Sequence, residues 1–130
     1  MANYPADLRY AESHEWVKLE GDLAIIGLTA FALEQLTDLI VMDLAKVGTK
    51  VKKGGRLGEV ESVKSVSDIY APLGGEVIEI NKAVVDDLSR LPADPYGQGW
   101  LLKLKPENPE EISDLLIAED YQAKIAAADH

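Results

Sequence analysis

The sequence predicts a mainly β fold of brief strands, with short helices and a C-terminal helical segment. Between residues 16 and 104, short apolar runs alternate with glycine-containing and polar turns, as in folds built from brief strands. The clearest helix start signal lies after this region, at residues 108–111. A chain of 130 residues is long enough for one domain with a hydrophobic core. We therefore expect a single domain over residues 1–130, with a β core at about 16–104 and C-terminal helices at about 108–128.

Seven strands are predicted in the β core, each a short apolar run bounded by turn residues. Glycine-containing turns are expected to reverse the chain as hairpins, because glycine tolerates positive φ at little cost. The strands are expected near residues 16–19, 23–28, 39–44, 56–63, 66–71, 75–80 and 100–104, with hairpin turns at 20–22, 54–55 and 72–75.

Helical patterns flank the strands. Residues 29–36 offer Thr29 as an N-cap and place apolar side chains on one face, which predicts a short helix lying on the sheet. Residues 118–129 are rich in alanine and predict a terminal helix, and residues 81–88 predict a single helical turn.

The segment 108–116 has the strongest start signal for a helix. Asn108 is a good cap, Pro109 occupies the first helical position, and Glu111 stands where a capping box places an acid. Before it, the segment 88–99 contains two prolines and two glycines, which predicts a structured surface loop.

Composition and charge restrict the functional classes. Apolar residues make up 47% and charged residues 28% of the chain, as in a folded globular protein, and no apolar run is long enough to cross a bilayer. The 13 Lys and Arg residues face 23 Asp and Glu residues, for a formal charge of -10. Nucleic acids and membranes are therefore not expected as partners, whereas proteins with basic docking faces are.

The sequence contains no cysteine, which excludes structural disulfides, thiolate metal sites and a cysteine nucleophile. Any thiol chemistry must come from an attached group. No spacing of histidines and carboxylates predicts a metal site, and no Ser/His/Asp order predicts a catalytic triad. The N-terminal residues lack a secretory or transit pattern, so the chain is expected to be cytoplasmic, or a processed form from the mitochondrial matrix.

Lys64 is the main candidate for chemistry. It lies in the run VESVKSVSDIYAP, residues 60–72, where valines on both sides can anchor two strands and the chain must reverse near residues 63–65. Most lysines at turns are solvated charges. An amine at an exposed hairpin tip, however, has the geometry that an acylating enzyme needs, because acylation converts it into an amide that carries the attached group.

The run GEVESVKSVSDIYAP at residues 58–72, followed by GGEVIEIN at 74–81, resembles the attachment site of the H protein of the glycine cleavage system. The combination of Glu61-Ser62-Val63-Lys64 with Asp94-Pro95-Tyr96-Gly97 and Gly99-Trp100 separates H proteins from other lipoyl domains and from biotin carriers. The resemblance covers about residues 8–125. Further matching segments are SHEWV at 13–17, EGDLAIIGLT at 20–29, EQL at 34–36, DPYGQGWLLKLKP at 94–106 and AEDY at 118–121.

The resemblance implies a lipoyl-domain-like barrel-sandwich hybrid of two small antiparallel sheets. It implies that lipoic acid is attached as an amide to Lys64, and that Glu61, Ser62 and Val63 serve in recognition of the attachment hairpin. It also implies that residues matching Ser13, Glu15 and Asp68 contact the loaded arm, although each of these could equally be an ordinary turn or solvated strand residue. His14 is expected to be packed and hydrogen-bonded rather than catalytic.

The function implied by the resemblance is that of a non-catalytic carrier in glycine catabolism and one-carbon metabolism. Such a carrier takes the aminomethyl group of glycine from the pyridoxal-phosphate glycine decarboxylase (P protein) to the tetrahydrofolate-dependent aminomethyltransferase (T protein). The reduced arm is then reoxidised by dihydrolipoamide dehydrogenase (L protein), and lipoate-attaching enzymes are further partners. No catalytic residue is assigned to the chain itself.

Three departures from the family pattern keep alternatives open. The family usually has Gly-Asp where Thr37-Asp38 stands, a proline after Glu-Leu where Asp43-Leu44-Ala45 stands, and Pro-x-x-Val/Ile-Asn where residues 88–92 read LSRLP. One alternative is a paralogue that relays lipoyl groups to other 2-oxoacid dehydrogenase complexes. Others are an acidic β module that binds a partner with Lys64 unmodified, and an enzyme that uses Lys64, His14, Glu15 and Asp68 for proton transfer.

Overall fold

The computed structural model describes residues 4–36 and 38–128, within which nine strands form two antiparallel sheets. The larger sheet has the order β1-β2-β3-β9-β8-β5 and the smaller sheet has the order β4-β6-β7. The predicted mainly β fold with two antiparallel sheets is confirmed. The strands are β1 (Arg9–Tyr10), β2 (Glu15–Glu20), β3 (Leu23–Leu28), β4 (Leu39–Leu44), β5 (Lys50–Val51), β6 (Arg56–Ser62), β7 (Val66–Tyr70), β8 (Gly75–Ile80) and β9 (Leu102–Pro106).

Short helices join and flank the strands. They are α1 (Ala30–Leu36), α2 (Lys82–Asp86), α3 (Arg90–Ala93), a 3-10 helix (Pro109–Asp114) and α4 (Ala118–Ala128). Thr29 caps α1 as predicted, since its Oγ1 accepts a hydrogen bond from the Ala32 N–H at 3.2 Å. The Asn108 side chain likewise accepts from the Glu110 N–H at 3.2 Å and starts the 3-10 helix.

The interior has two parts. Inward-facing apolar residues of both sheets form the main core, in which Ile26, Leu57 and Leu104 are fully buried. A second, aromatic cluster lies outside the larger sheet and joins the start of the chain to α4 through Tyr4, Tyr10, Trp16, Tyr96 and Tyr121. In the described residues, none of the helices has the length and apolar character needed to span a membrane.

Two of the three predicted hairpin turns are wrong. Residues 20–22 do join neighbouring strands of one sheet, but 54–55 and 72–75 carry the chain between the two sheets. The two crossings bond to each other, because the Gly54 N–H donates to the Ala71 carbonyl at 2.8 Å and the Ala71 N–H donates to the Gly55 carbonyl at 2.7 Å. The segment between the crossings is therefore closed at its base.

The predicted capping box at Glu111 is also wrong. Its carboxylate reaches away from the helix start and accepts a hydrogen bond from the Gly74 N–H at 3.0 Å. This bond ties the helical segment to the second sheet crossing, and the segment is a 3-10 helix ending at Asp114 rather than an α-helix reaching residue 116.

Three smaller differences concern strand ends and loops. The last strand begins at Leu102 rather than at 100, because Asn81 Nδ2 donates to the carbonyls of Gln98 (2.9 Å) and Trp100 (2.8 Å) and holds that segment in a turn. Trp100 is therefore half-buried outside a strand. The expected loop 88–99 contains the one-turn helix α3. Thr37 and Asp129 lie outside the described residues.

Candidate functional site

Lys64 lies at the tip of the hairpin formed by β6 and β7. The ladder between the two strands ends with Glu61 opposite Val66, and residues 62–65 form the connecting turn. The Lys64 side chain is exposed, and within the described part of the chain it takes part in no ion pair. Its amine is therefore accessible to a second protein.

The turn that presents Lys64 is held from two sides. The Ser62 N–H donates to the Ser65 carbonyl at 2.8 Å, and the Ser62 hydroxyl bonds both the N–H and the carbonyl of Ser65 at 3.2 Å. From the neighbouring segment, the Asp38 carbonyl accepts from the Val63 N–H at 3.2 Å. Asp38 has a positive φ of 33°, which non-glycine residues adopt infrequently.

The three residues considered for recognition differ in accessibility. Glu61 is exposed and Val63 is 67% exposed, so both can contact another protein. Ser62 is buried at 3% exposure, and its side chain braces the turn. A valine with this exposure at a turn gains nothing from the core, whereas it offers apolar surface to a partner.

A cleft of about 300 Å³ lies at the side of the hairpin, between the start of β2, helix α1 and strand β7. It brings together the three residues considered for contact with the arm, Ser13, Glu15 and Asp68, although Asp68 is more than 50 positions from the other two. The remaining lining is mainly apolar and comprises His14, Leu28, Phe31, Ala32, Gln35, Leu36, Val60, Ser67 and Ile69.

Glu15 is a buried carboxyl group on one wall of this cleft. It is 1% exposed, accepts a hydrogen bond from the Ser13 hydroxyl, and accepts another from the Tyr70 N–H at 3.2 Å. Burial raises the pKa of Glu15 to about 7, and the two hydrogen bonds only partly oppose this effect. The group can therefore change its charge near neutral pH, and a cation in the cleft would favour its ionised form.

Asp68 occupies the exposed rim of the same cleft. Its carboxylate accepts from Arg56 Nε at 3.0 Å and from the Tyr70 hydroxyl at 3.3 Å. Arg56 also pairs with Glu59, whose Oε2 lies 2.6 Å from Arg56 Nη2. The single positive charge of Arg56 therefore neutralises the carboxylates of Asp68 and Glu59 only in part. The rim keeps a negative character, and the cleft as a whole suits a ligand with a positive charge and an apolar chain.

His14 joins the cleft to the aromatic cluster. Its Nδ1 lies 2.8 Å from the Tyr121 hydroxyl, which lies 2.8 Å from Thr29 Oγ1. Its ring packs against Phe31 with centroids 4.8 Å apart, and burial lowers the pKa of His14. The backbone has a φ of 77°, and the Thr29 N–H donates to its carbonyl at 3.0 Å.

The hydroxyl partners of His14 were not found by sequence reasoning. Thr29 was assigned only as a helix cap, and Tyr121 was recognised only as part of the matching segment AEDY. Nothing in the local sequence indicates that a side chain 107 positions after His14 bonds to it. The expectation that His14 is packed and hydrogen-bonded is confirmed.

The residues present fit a lipoyl group on Lys64. Four residues along a strand span about 13 Å, so Asp68 on β7 lies within the reach of a long acyl chain that folds back from the tip. The apolar walls suit the methylene chain of such a group, and Ser13, Glu15 and Asp68 suit a polar or cationic end. No group of three or more metal-ligating side chains occurs among residues 4–36 and 38–128.

The chain is similar to proteins of one family. The model of the glycine cleavage H-protein family matches residues 8–128. The glycine cleavage system H protein of Acaryochloris marina is 48% identical over 122 residues, which cover 94% of this chain and 95% of that protein. The H protein of Symbiobacterium thermophilum is 46% identical over 123 residues, which cover 95% of this chain and 96% of that protein.

A solved structure of a protein with the same family name has a matching fold. The crystal structure of a glycine cleavage system H protein from Mycobacterium marinum matches with a TM-score of 0.87 and 39% sequence identity. The match covers 95% of this chain and 99% of that one. This likeness confirms the predicted lipoyl-domain-like barrel-sandwich hybrid.

Proposed function

Because the chain belongs to the glycine cleavage H-protein family, we propose that it is the lipoyl carrier of a glycine cleavage system, with lipoic acid in amide linkage to Lys64. The protein is a carrier subunit and not itself an enzyme. The observation that carries the proposal is the position of Lys64, exposed at a turn that Ser62 and Asp38 hold from two sides. Such a turn presents the amine without requiring the strands to open.

When attached, the lipoyl group supplies the dithiol/disulfide pair that takes up and releases the aminomethyl group of glycine, a chemistry that a cysteine-free chain lacks. The side chains of the protein orient and shield the attached group. Ser13, Glu15 and Asp68 would hold the cationic amine of the cargo, and the cleft walls would limit the access of water. Glu15 favours a bound cation because its ionised form, disfavoured by burial, gains a partner there.

The proposed partners are the P protein, the T protein, the L protein and the lipoate-attaching enzymes, with the chain acting in the cytoplasm as one carrier domain. Glu61 and Val63 precede Lys64 and are exposed at the tip of the hairpin. We expect these enzymes to recognise the two side chains together with the shape of the turn. The net charge of -10 favours partners with basic faces around their lipoyl-binding channels.

The experiment is to express the chain with a lipoate ligase and lipoate, and to measure its intact mass and peptide map. We expect a lipoyl increment confined to the peptide that contains Lys64. Lys64→Arg keeps the charge but cannot be lipoylated, so it should lose the increment completely, whereas Lys82→Arg on α2 should keep it. Absence of an increment under conditions that modify a known lipoyl domain would leave the unmodified binding module as the better interpretation.

A second assay separates the two lipoylated functions. The lipoylated protein should support the exchange of carbon dioxide into glycine by a glycine decarboxylase, and Lys64→Arg should not. A protein that is lipoylated and fails in this exchange would instead be a relay for other 2-oxoacid dehydrogenase complexes. Turnover without any attached group would indicate an enzyme.

A further inference from the structure

The hydrogen bonds of His14 form a chain with a fixed direction. Thr29 is fully buried, and its Oγ1 accepts from the Ala32 N–H at 3.2 Å. Within the described residues, the Tyr121 oxygen is the only acceptor in reach of the Thr29 hydroxyl proton. A buried hydroxyl proton without an acceptor is costly, so Thr29 donates to Tyr121.

The direction continues to the histidine ring. Because the Tyr121 oxygen accepts from Thr29, its own proton is free to point at His14 Nδ1, 2.8 Å away. Nδ1 then acts as the acceptor, and the ring carries its proton on Nε2. If Nδ1 carried a proton, the Tyr121 oxygen would have to accept from both His14 and Thr29, and the Tyr121 proton would lose its acceptor.

The other ring nitrogen, Nε2, is accessible in the described part of the structure. Nε2 has no hydrogen-bond partner among the described residues, and no buried side-chain nitrogen or oxygen there lacks a partner. Nε2 is therefore accessible, and His14 is one of the residues that line the cleft. The charged or titratable groups that line the cleft beside His14 or bond to its ring are Glu15 on β2, Asp68 on β7 and Tyr121 on α4. Helix α1 also carries Glu34, which is not among the residues that line the cleft.

We propose that His14 is a specificity-determining residue of the cleft, held by Thr29 and Tyr121 as a neutral imidazole that donates its Nε2–H to the bound arm. The proposal rests on the proposed function for the identity of that arm. A charged imidazolium in the cleft that Glu15 and Asp68 also line would compete with the cationic amine of the cargo for their carboxylates. The neutral ring instead offers a donor to an uncharged acceptor, such as a sulfur or amide oxygen, and leaves the carboxylates to the amine.

The first test uses the unmodified protein and does not depend on lipoylation. The chain has two histidines, so His130→Gln combined with Lys64→Arg leaves His14 as the only imidazole. Long-range 1H–15N correlation spectra assign its tautomer, and a pH titration follows its charge. We expect the Nε2–H tautomer and a pKa below the ordinary histidine value of about 6.5, because the ring is partly buried. A proton on Nδ1, or titration near 6.5, would overturn the proposal.

Two tyrosine variants distinguish the hydrogen-bond chain from Thr29 through Tyr121 to His14 from a mere effect of aromatic packing. Tyr121→Phe removes only the hydroxyl of the chain, so the tautomer preference should weaken and the pKa of His14 should rise, because the neutral form loses its donor. Tyr10→Phe is the matched control: its hydroxyl donates to the Pro5 carbonyl at 2.7 Å, and its ring stacks on Tyr121 with centroids 4.9 Å apart. An equal change of the His14 signals in both variants would contradict the role of the Tyr121 hydroxyl in fixing the tautomer of His14.

The second test concerns the arm. The lipoylated protein is charged with the aminomethyl group, and its loss is followed by intact mass. Tyr121→Phe should accelerate the loss about three- to tenfold, as expected for one weakened neutral hydrogen bond, and Tyr10→Phe should not. His14→Gln keeps an uncharged N–H donor and should retain the cargo better than His14→Phe. Unchanged loss in Tyr121→Phe would overturn the contact with the arm, whereas failure of Lys64 to accept lipoate would overturn the proposed function and leave the spectra as they are.

Discussion

Glu15 shows how one buried residue can make the stability of the protein depend on pH. Its carboxyl group is 1% exposed, and burial raises its pKa from 4.5 to about 7. The folded state therefore keeps a proton at pH values where the unfolded chain has already released it. Under the linkage relation, this residue lowers the free energy of unfolding as the pH rises from about 4.5 to about 7.

We predict that Glu15→Gln removes this part of the pH dependence. Glutamine can accept from the Tyr70 N–H and donate to Ser13, so both hydrogen bonds are kept in the neutral form. The variant should resemble the wild type below pH 4.5 and gain on it by about 2–4 kcal/mol by pH 7. Urea unfolding at a series of pH values measures the difference. Parallel curves across this range would show that Glu15 titrates at an ordinary pKa.

The pairing of β2 with β3 requires a glycine opposite a tryptophan, because the indole ring fills the space that a second side chain would need. Trp16 lies directly opposite Gly27, and a Cβ on Gly27 would come within 2.5 Å of the indole ring. The ring cannot move aside freely, because its Nε1–H donates to the Pro95 carbonyl at 3.0 Å. This strand pair fixes the start of β2 at Glu15, which lines the cleft together with the preceding Ser13 and His14.

We predict that Gly27→Ala lowers the free energy of unfolding by about 1–3 kcal/mol, as for other overpacked sites. The sign is informative, since glycine to alanine at an unobstructed strand position is normally stabilising. Chemical denaturation gives the value. In a Trp16→Phe background the same substitution should cost less, and equal costs in the two backgrounds would mean that the indole ring is not the obstacle.

At the level of elements, pattern strength decided what could be predicted. The strand at 23–28 and the helix after Thr29 were found because apolar periodicity and a cap residue mark them locally. The two-residue strands β1 and β5 were missed, because two residues cannot show alternation. Glycines at 54–55 and 72–75 indicated turns correctly but not their kind, because a sheet crossing and a hairpin use the same backbone freedom.

At the level of the whole molecule, the candidate site was predictable only in parts. The turn at Lys64 follows from local sequence, and the convergence of Ser13, Glu15 and Asp68 was anticipated through the resemblance, not through spacing. The burial of Glu15 and the bonds from His14 to Tyr121 depend on how distant segments pack. The bond between Glu111 and Gly74 was missed for the same reason: the local pattern suggested a capping box, and a partner 37 positions away took the carboxylate instead.

The bonds between residues 54–55 and Ala71, which join the two sheet crossings, also have a consequence for the order of folding. The smaller sheet uses only residues 39–70, whereas the larger sheet needs strands from Arg9 to Pro106. Sequence-local contacts form sooner than distant ones, because less chain entropy is lost in closing the loop between them. In pulse-labelled hydrogen exchange during refolding, we expect the amides of Ser62 and Ala71 to gain protection before those of Tyr10 and Leu101.

Simultaneous protection of all four amides would instead mean that the two sheets form in one cooperative step. If the smaller sheet does form first, the turn that bears Lys64 takes shape early in refolding, and the cleft that receives its arm is completed only when the first and last strands join.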